Sequence, residues 1–356
     1  MSRTVLVARL DSMGDVLICG PAVRAVAAKA DRVIMLAGPF GADAARLLPG
    51  VAEVITFEAP WVGDPAASVD SQQLGLTIEE ISRLGVDEAL ILTSFHQTAL
   101  PTALMLRLAG VPLLSAVSVD YPGSLLDTRL APPDDGPEPV RMLTIAAGAG
   151  FPLPPSDNGA LAVRLPPGPD RVRRPAGNPY VVAHPGAAVP ARRYPSDRWA
   201  AAVRELAQQG WSVVITGSPA ERSTVAEIVT AAGVGDAIMD LSGQLTLAAL
   251  ADVLAGAAVV IVGNTGPAHL AAAVATPVVS LFSPVVSAIR WAPYGVPVAL
   301  LGDQQAPCRA TRSRTCPVEG HPCLAKVGAG EIVDAVARLT TQRPLATLVP
   351  VLGGNR

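Results

Sequence analysis

Residues Val5–Ile18 read VLVARLDSMGDVLI, and the fold prediction starts from this stretch. The apolar run Val5–Ala8 is typical of a buried strand, and Val16–Ile18 has the pattern of a helix start. Between them, Leu10–Asp15 (LDSMGD) places two carboxylates around small, turn-prone residues. Because the carboxyl ends of strands in open α/β sheets face the crevice that binds ligands, this strand-to-helix corner is a candidate functional site.

The same alternation of strand and helix patterns continues along the chain in two series. Strands separated by helices predict parallel sheets covered on both faces, so we expect an α/β fold with two doubly wound, Rossmann-like domains. The first series of apolar runs is Val5–Ala8, Val33–Leu36, Val54–Phe57, Ala89–Leu92 and Leu113–Val117, and the second is Tyr180–Ala183, Val213–Thr216, Ala237–Asp240, Val259–Val262 and Val278–Leu281.

A chain of 356 residues exceeds the size at which one core stops growing, about 250–300 residues. Residues 166–179 are too rich in Pro and Gly for a packed element, so we place the domain boundary there. The predicted division is an N-terminal domain at 1–165, a linker at 166–179, a second domain at 180–340 and a tail at 341–356. Two such domains leave a central cleft between the carboxyl ends of both sheets.

Composition narrows the class of protein. Half of the residues are apolar, 16% are charged and the net charge is −3, which excludes a disordered chain and argues against a nucleic-acid partner. Arg9 and Asp11 interrupt the first apolar residues, so no secretory signal is predicted and we expect a cytoplasmic protein. Val253–Ile289 carries no charge, but Gly263–Pro267 breaks it, which favours a buried sheet over a membrane span.

Two corners of the second domain have the size for a phosphate group. One is His184–Ala187 after its first strand, and the other is Gly263–Pro267 after its fourth. In the latter, Gly266 permits close backbone approach and Pro267 suits a first helical turn, so free N–H groups and the positive end of the helix dipole would face an anion. The alternative is a tight turn in which Asn264 or Thr265 caps the helix. The glycine signatures of dehydrogenases and P-loop ATPases are missing from the sequence.

Taken in order, these segments resemble glycosyltransferase family nine, the heptosyltransferase family. The resemblance extends from about Val5 to about Leu339 and implies a GT-B fold with metal-independent, inverting transfer of a sugar from a nucleotide diphosphate donor, commonly ADP-heptose, without a cofactor. The acceptor would be a hydroxyl of a glycan, a glycolipid or a small molecule. The matching segments are Leu10–Leu17, Pro21–Ala25, His184–Ala187, Arg192–Pro195 with Trp199, and Asn264–Ala271.

The resemblance assigns roles to individual residues. Asp15 matches the general base, which is needed because a sugar hydroxyl is a poor nucleophile; the alternative is a helix cap. Arg192 stands where the family usually has a lysine that neutralises phosphate, with Arg193 as the second choice. The acceptor side is expected at Ser12, Met13, Gly14 and His96, and the donor side at Gly186, Ala187, Arg192, Thr216, Gly217, Asp240, Asn264, Thr265, Gly266, Pro267 and His269.

Several of these assignments have alternatives. The resemblance places at Asp240 an acid that holds the ribose hydroxyls, and Thr216 with Gly217 is expected to flank the base. His269 is equally compatible with a phosphate contact and with a capping or packing role. His96 could contact the acceptor, but a lone histidine is more often structural. Asn264 stands where well-studied relatives have an aspartate, which leaves open a preferred sugar other than the usual heptose.

A cysteine-rich segment lies near the end of the second domain. Cys308, Cys316, Cys323 and His321 suggest a zinc site, but their spacing lacks paired Cys-x-x-Cys ligands, so we predict free thiols and no metal.

Other classes of protein stay open at this point. A non-catalytic nucleotide-sugar-binding protein and a GT-B-like epimerase or phosphorylase would share the architecture. The predicted partners are a nucleotide-sugar donor and the acceptor, without nucleic acid, and contact with a membrane would be peripheral at most.

Overall fold

The computed structural model describes residues 2–63, 66–165, 175 and 179–341. The predicted linker at 166–179 therefore lies outside the described residues except for Pro175 and Pro179, and the predicted tail lies outside them except for Thr341.

The first domain is one parallel sheet with helices on both faces. Its strands are β1 (Thr4–Arg9), β2 (Arg32–Ala37), β3 (Glu53–Thr56), β4 (Glu88–Ile91), β5 (Leu113–Val117) and β6 (Thr128–Leu130). Its helices are α1 (Met13–Ile18), α2 (Gly20–Ala27), α3 (Ala42–Leu47), α4 (Ser71–Arg83), α5 (Leu100–Leu108) and α6 (Glu138–Gly148). The strand order is β3-β2-β1-β4-β5-β6.

The second domain repeats this topology. Its strands are β7 (Tyr180–His184), β8 (Ser212–Ile215), β9 (Ile238–Asp240), β10 (Val259–Gly263), β11 (Val278–Leu281) and β12 (Val298–Leu301). Its helices are α7 (Ser196–Gln208), α8 (Arg222–Ala232), α9 (Leu247–Gly256), α10 (Gly266–Ala273), α11 (Ala288–Trp291), α12 (Pro322–Ala325) and α13 (Ala329–Thr341). Its strand order, β12-β11-β10-β7-β8-β9, equals that of the first sheet read from the other edge. The predicted duplication is therefore present.

The sequence patterns missed the sixth strand of each sheet. Thr128–Leu130 has only three residues and lies inside the polar segment 120–138, and Val298–Leu301 has only four residues. Both are edge strands, so they have a neighbour on one side only and are partly exposed. A short edge strand needs no long apolar run, which is why periodicity did not reveal it.

Alternate residues of the central strands enter different layers of the core. Val5 and Val7 of β1 pack in one hydrophobic cluster, and Leu6 and Ala8 pack in another on the opposite face. Side chains of a strand alternate between faces, so a strand buried on both faces must be apolar throughout. This explains why the charge-free stretch from Val253 to Ile289 folds as α9, β10, α10 and β11. No helix in the described part of the chain is long and apolar enough to cross a membrane.

The domains meet through helices that begin at the carboxyl ends of their sheets. A single hydrophobic cluster contains Leu17 of α1 and Leu270 of α10, so the two domains share part of one core. The first turns of both helices approach closely: a Cβ on Gly14 would lie 3.0 Å from His269 Cδ2 and 3.3 Å from Gly266 Cα. In each sheet the first strand is flanked by the second and fourth strands, which is the switch point at which α/β folds bind ligands.

Candidate active site

The corner after β1 holds Asp15 in a fixed position at the cleft. Asp15 lies in the first turn of α1, and its carboxylate accepts hydrogen bonds from Ser12 Oγ at 2.7 Å and Arg9 Nη2 at 3.2 Å. Within the described residues, this carboxylate accepts no hydrogen bond from the backbone of α1, so it does not act as a helix cap. It is half-buried and lines the cleft.

Arg9 organises this corner from inside the protein. Its side chain is 1% exposed. The Nε atom lies 2.8 Å from Asp11 Oδ2, and Nη2 donates a hydrogen bond to Ser94 Oγ at 2.8 Å. Burial disfavours the charged guanidinium, but the surrounding acidic groups, with Asp11 the largest contributor, more than offset this, so the pKa of Arg9 is raised. Burial also raises the pKa of Asp11, while the charge of Arg9 acts in the opposite direction.

The facing wall is the N-terminus of α10. Pro267 occupies its first turn, and in the described structure neither Asn264 nor Thr265 caps the helix with its side chain. Asn264 instead bonds Ser283 reciprocally: Nδ2 donates to the Ser283 carbonyl at 3.2 Å, and Oδ1 accepts from its N–H at 3.3 Å. The uncapped helix end, with glycine at its first position, is suited to an anionic group.

Two basic side chains flank this helix end. Arg192 is partly buried, and its Nη1 lies 3.5 Å from the Asn264 carbonyl oxygen; burial lowers its pKa. His269 is buried, and its Nδ1 has no hydrogen-bond partner among the described residues. Burial lowers the pKa of His269 to about 4, against the attraction of Asp15. The imidazole is therefore neutral at pH 7 and Arg192 supplies the positive charge.

These groups line one cavity of about 540 Å³ between the domains, here called the first cavity. It brings together ten of the residues predicted or discussed from the sequence, five from each domain: Asp11, Ser12, Gly14, Asp15, His96, Arg192, Asn264, Thr265, Gly266 and His269.

A second cavity of about 900 Å³ adjoins the same helix end, because Thr265 lines both. His184 Nδ1 lies 2.9 Å from Thr216 Oγ1 in its wall, and burial lowers the pKa of His184 to about 4. Of the predicted residues it is lined by Met13, Gly186, Ala187, Arg193, Thr216, Gly217, Thr265 and Pro267. Met13, expected on the acceptor side, thus lies beside the predicted donor residues.

Asp240 is placed differently from the other predicted donor residues. It is exposed, its carboxylate accepts the Ser242 N–H at 2.8 Å, and within the described structure it lines neither of these two cavities. The acid that lines the second cavity is Glu221, which accepts the Ser218 N–H at 2.7 Å and lies where a Cβ on Gly186 would be. Sequence reasoning missed Glu221, although Ser218-Pro219-Ala220-Glu221 has the spacing of a capping box, and that motif is formed.

A contact between the domains at the rim of the first cavity was also missed. The guanidinium carbons of Arg290 and Arg312 lie 4.5 Å and 5.3 Å from the centre of the Phe95 ring. Arg312 Nη2 donates to His96 Nε2 at 2.9 Å, and burial lowers the pKa of His96. His96 therefore lines the cavity and also joins the domains. The sequence carried no signal for this contact because its partners are far apart in the chain.

The side chains for which a zinc site was considered have the following surroundings. Cys308 and Cys323 are buried, Cys316 Sγ contacts the Val318 carbonyl at 3.3 Å, and His321 Nε2 lies 3.1 Å from the Ala191 carbonyl. Across residues 2–63, 66–165, 175 and 179–341, no three His, Cys, Asp or Glu side chains are grouped to hold a metal ion.

Comparisons with known proteins agree with this architecture. A 141-residue stretch is 36% identical to lipopolysaccharide heptosyltransferase 1 of Pseudomonas aeruginosa, and it spans 39% of this chain and 38% of that relative. The fold aligns with a glycosyltransferase of family 9 from Veillonella parvula at a TM-score of 0.76 and 14% identity, over 96% of this chain and 98% of that chain.

Two structures from E. coli also share the fold. ADP-heptose lipopolysaccharide heptosyltransferase II aligns at a TM-score of 0.73 and 18% identity, over 96% of this chain and 99% of that chain. Heptosyltransferase WaaC, solved with ADP-2-deoxy-2-fluoro heptose, aligns at a TM-score of 0.68 and 18% identity, over 94% of this chain and 99% of that chain. These alignments confirm the predicted GT-B fold. The family model of glycosyltransferase family 9 (heptosyltransferase) matches residues 141–321, a little over half of the 356 residues, and the chain therefore belongs to this family.

Proposed function

We propose that this protein is a metal-independent, inverting glycosyltransferase that moves a heptose or related sugar from an ADP-heptose-like donor to an acceptor hydroxyl. The observation that carries the proposal is that the Asp15 carboxylate and the N-terminus of α10 line the same cavity from opposite domains. A hydroxyl held at Asp15 and a diphosphate held at α10 would have the sugar between them. The relatives named for heptose transfer, one of them solved with an ADP-heptose analogue, support this donor class.

Asp15 would act as the general base. It takes the proton of the acceptor hydroxyl while the hydroxyl oxygen forms a bond to the anomeric carbon, and positioned proton transfer of this kind contributes about 10²–10⁴-fold. Ser12 and Arg9 occupy one lone pair on each carboxylate oxygen, and the oxygens keep further acceptor capacity for the hydroxyl. The carboxylate is thereby held in one orientation.

The leaving group is the nucleoside diphosphate. As the bond between the anomeric carbon and the diphosphate oxygen breaks, negative charge grows on that oxygen. The dipole of α10, the Gly266 N–H and the Arg192 guanidinium would stabilise this charge in a partly water-excluded cleft. The neutral His269 contributes a hydrogen bond rather than a charge, since its imidazole is buried. With these groups in place, the chemistry requires no metal ion.

Asn264 would have a structural role in addition to the donor contact that its position suggested. Its amide is engaged with Ser283, so it first fixes the backbone of the corner that leads into α10. One Nδ2 hydrogen and one Oδ1 lone pair stay available to a sugar hydroxyl. The domain with Asp15 would hold the acceptor and the domain with α10 the donor.

The test combines binding with turnover. Isothermal titration with ADP-, GDP-, UDP- and dTDP-sugars should select the donor, and mass spectrometry should identify the glycosylated product. Asp15→Asn should bind the donor as the wild type does, while kcat falls about 10²–10⁴-fold. Excess EDTA should leave kcat unchanged.

Three results would count against the proposal. Equal loss of donor affinity and turnover in Asp15→Asn would make Asp15 a structural residue. Donor binding without any turnover in the wild type would favour the non-catalytic alternative. Absence of binding to every nucleotide sugar would exclude both.

A further inference from the structure

Phe40 is a large aromatic side chain of the first domain that is exposed to solvent. It lies in the loop between β2 and α3 and is 84% exposed. It lines the second cavity, whose other walls are mainly the loops His184–Ala188 and Thr216–Glu221 of the second domain. Phe40 therefore lines the same cavity as Thr216 and Gly217, which are predicted to flank the base, but does so from the opposite domain.

The loop that carries Phe40 is held tightly. A Cβ on Gly38 would overlap the Leu10 carbonyl oxygen, and a Cβ on Gly41 would lie 2.7 Å from Val16 and 2.9 Å from the Asp11 carbonyl oxygen. The Gly41 N–H also donates to the Gly38 carbonyl at 2.9 Å. Because Gly38 and Gly41 have no side chains, the loop can pack closely against the corner that carries Asp15. This packing fixes the backbone on both sides of Phe40.

The division of the cleft indicates which part of the donor would meet this ring. Asp15 lines the first cavity, so the anomeric carbon belongs there, and Thr265 at the start of α10 lines both cavities. A diphosphate at α10 places the sugar in the first cavity and the nucleoside in the second. Phe40 lines the second cavity and is not among the residues that line the first.

We propose that Phe40 packs on the nucleotide half of the donor and completes its binding site from the first domain. The inference rests on the proposed function, since it needs a nucleotide in the second cavity. An aromatic ring offers a sequence-tolerant, apolar face to a nucleoside, and such stacking is a strong contact when water is excluded. Met13 also lines this cavity from the first domain and contacts Gly266, so Phe40 is joined there by a second apolar side chain of the same domain.

The experiment compares four proteins by isothermal titration with ADP and with ADP-heptose. Phe40→Ala should bind both ligands about tenfold more weakly than the wild type, equivalent to about 1.4 kcal/mol. Phe40→Trp should restore affinity to within about threefold, because it restores an aromatic face. The matched control is Tyr121→Ala: Tyr121 is 86% exposed and, in the described structure, lines neither cavity, so its removal should leave both affinities unchanged.

The outcomes separate this inference from the proposed function. Unchanged ADP affinity in Phe40→Ala, with the wild type binding ADP, would refute the role of Phe40 and leave the proposed function intact. Loss of affinity for ADP-heptose alone would place the ring on the sugar and also refute it. A wild type that binds no nucleotide would overturn the proposed function and this inference with it. Because Phe40 is exposed, Phe40→Ala should unfold thermally like the wild type, which verifies that any loss reflects binding.

Discussion

Replacing Arg9 with methionine tests whether one buried cation holds together the corner that carries Asp15. The Arg9 side chain is 1% exposed, and the side chains of its partners Asp11 and Asp15 are 11% and 19% exposed. Removing one partner of a buried ion pair costs about 3–5 kcal/mol. Both carboxylates keep some contact with water, so we expect the lower end, about 3 kcal/mol, at neutral pH.

The penalty should depend on pH in a defined direction. Burial already raises the pKa of Asp11 above its ordinary value, and Arg9 opposes that shift. In Arg9→Met the folded-state pKa of Asp11 rises further, so the folded state takes up a proton at a pH where the unfolded state does not. Stability then increases as the pH falls through that window. The destabilisation should therefore be smaller at about pH 5 than at about pH 7.5.

Urea denaturation followed by circular dichroism at both pH values measures this effect. The matched control is Arg46→Met, since Arg46 pairs with Asp43 on the surface, where the side chains are 54% and 77% exposed; its loss should stay within about 0.5 kcal/mol. A loss below about 0.5 kcal/mol for Arg9→Met at neutral pH, or a loss that grows on acidification, would refute the reasoning.

Three further perturbations test the facing wall. Asn264→Ala leaves the N–H and the carbonyl of Ser283 unpaired in the interior, so the free energy of unfolding measured by urea denaturation should fall by about 1–3 kcal/mol. An unchanged free energy of unfolding would contradict the reciprocal hydrogen bonds. The pKa of His269 is lowered to about 4, so on acidification the unfolded state binds the proton before the folded state does, and the free energy of unfolding should fall as the pH drops from about 6.5 to about 4. In His269→Gln the free energy of unfolding should depend less steeply on pH over this range, and an unchanged slope would exclude the assignment. Gly14→Ala places a Cβ 3.0 Å from His269 Cδ2 and 3.3 Å from Gly266 Cα, so the start of α10 must shift by a few tenths of an ångström relative to α1. We expect this shift to reduce kcat while ADP affinity measured by titration changes little; unaltered kcat would show that the helix contact adapts.

Much of the fold was predictable because its signals are local. Apolar runs and helical periodicity located ten of the twelve strands found in the described part of the chain, and the two that were missed are short edge strands. The corners at Asp15 and Gly266 were predictable for the same reason, since a strand end followed by a turn and a helix is readable from neighbouring residues. Asp240 ends strand β9 as expected, yet the acid that lines the second cavity is Glu221, from the loop between β8 and α8. The order of residues along the chain did not indicate which of these two acids turns inward.

The sequence by itself determined two doubly wound sheets and the corners at their carboxyl ends, because apolar period and turn chemistry act over a few residues. The glycosyltransferase family was indicated separately, by the resemblance of the ordered motifs. Only the tertiary structure decided the partners that bring these corners together. Arg9 meets Ser94 across 85 positions, and Arg312 meets His96 across 216. Such pairs depend on how the sheets and helices pack, as does the exposure of Phe40 toward the opposite domain. Side-chain direction at a cleft is set by packing over long sequence separations, and no local pattern carries that information.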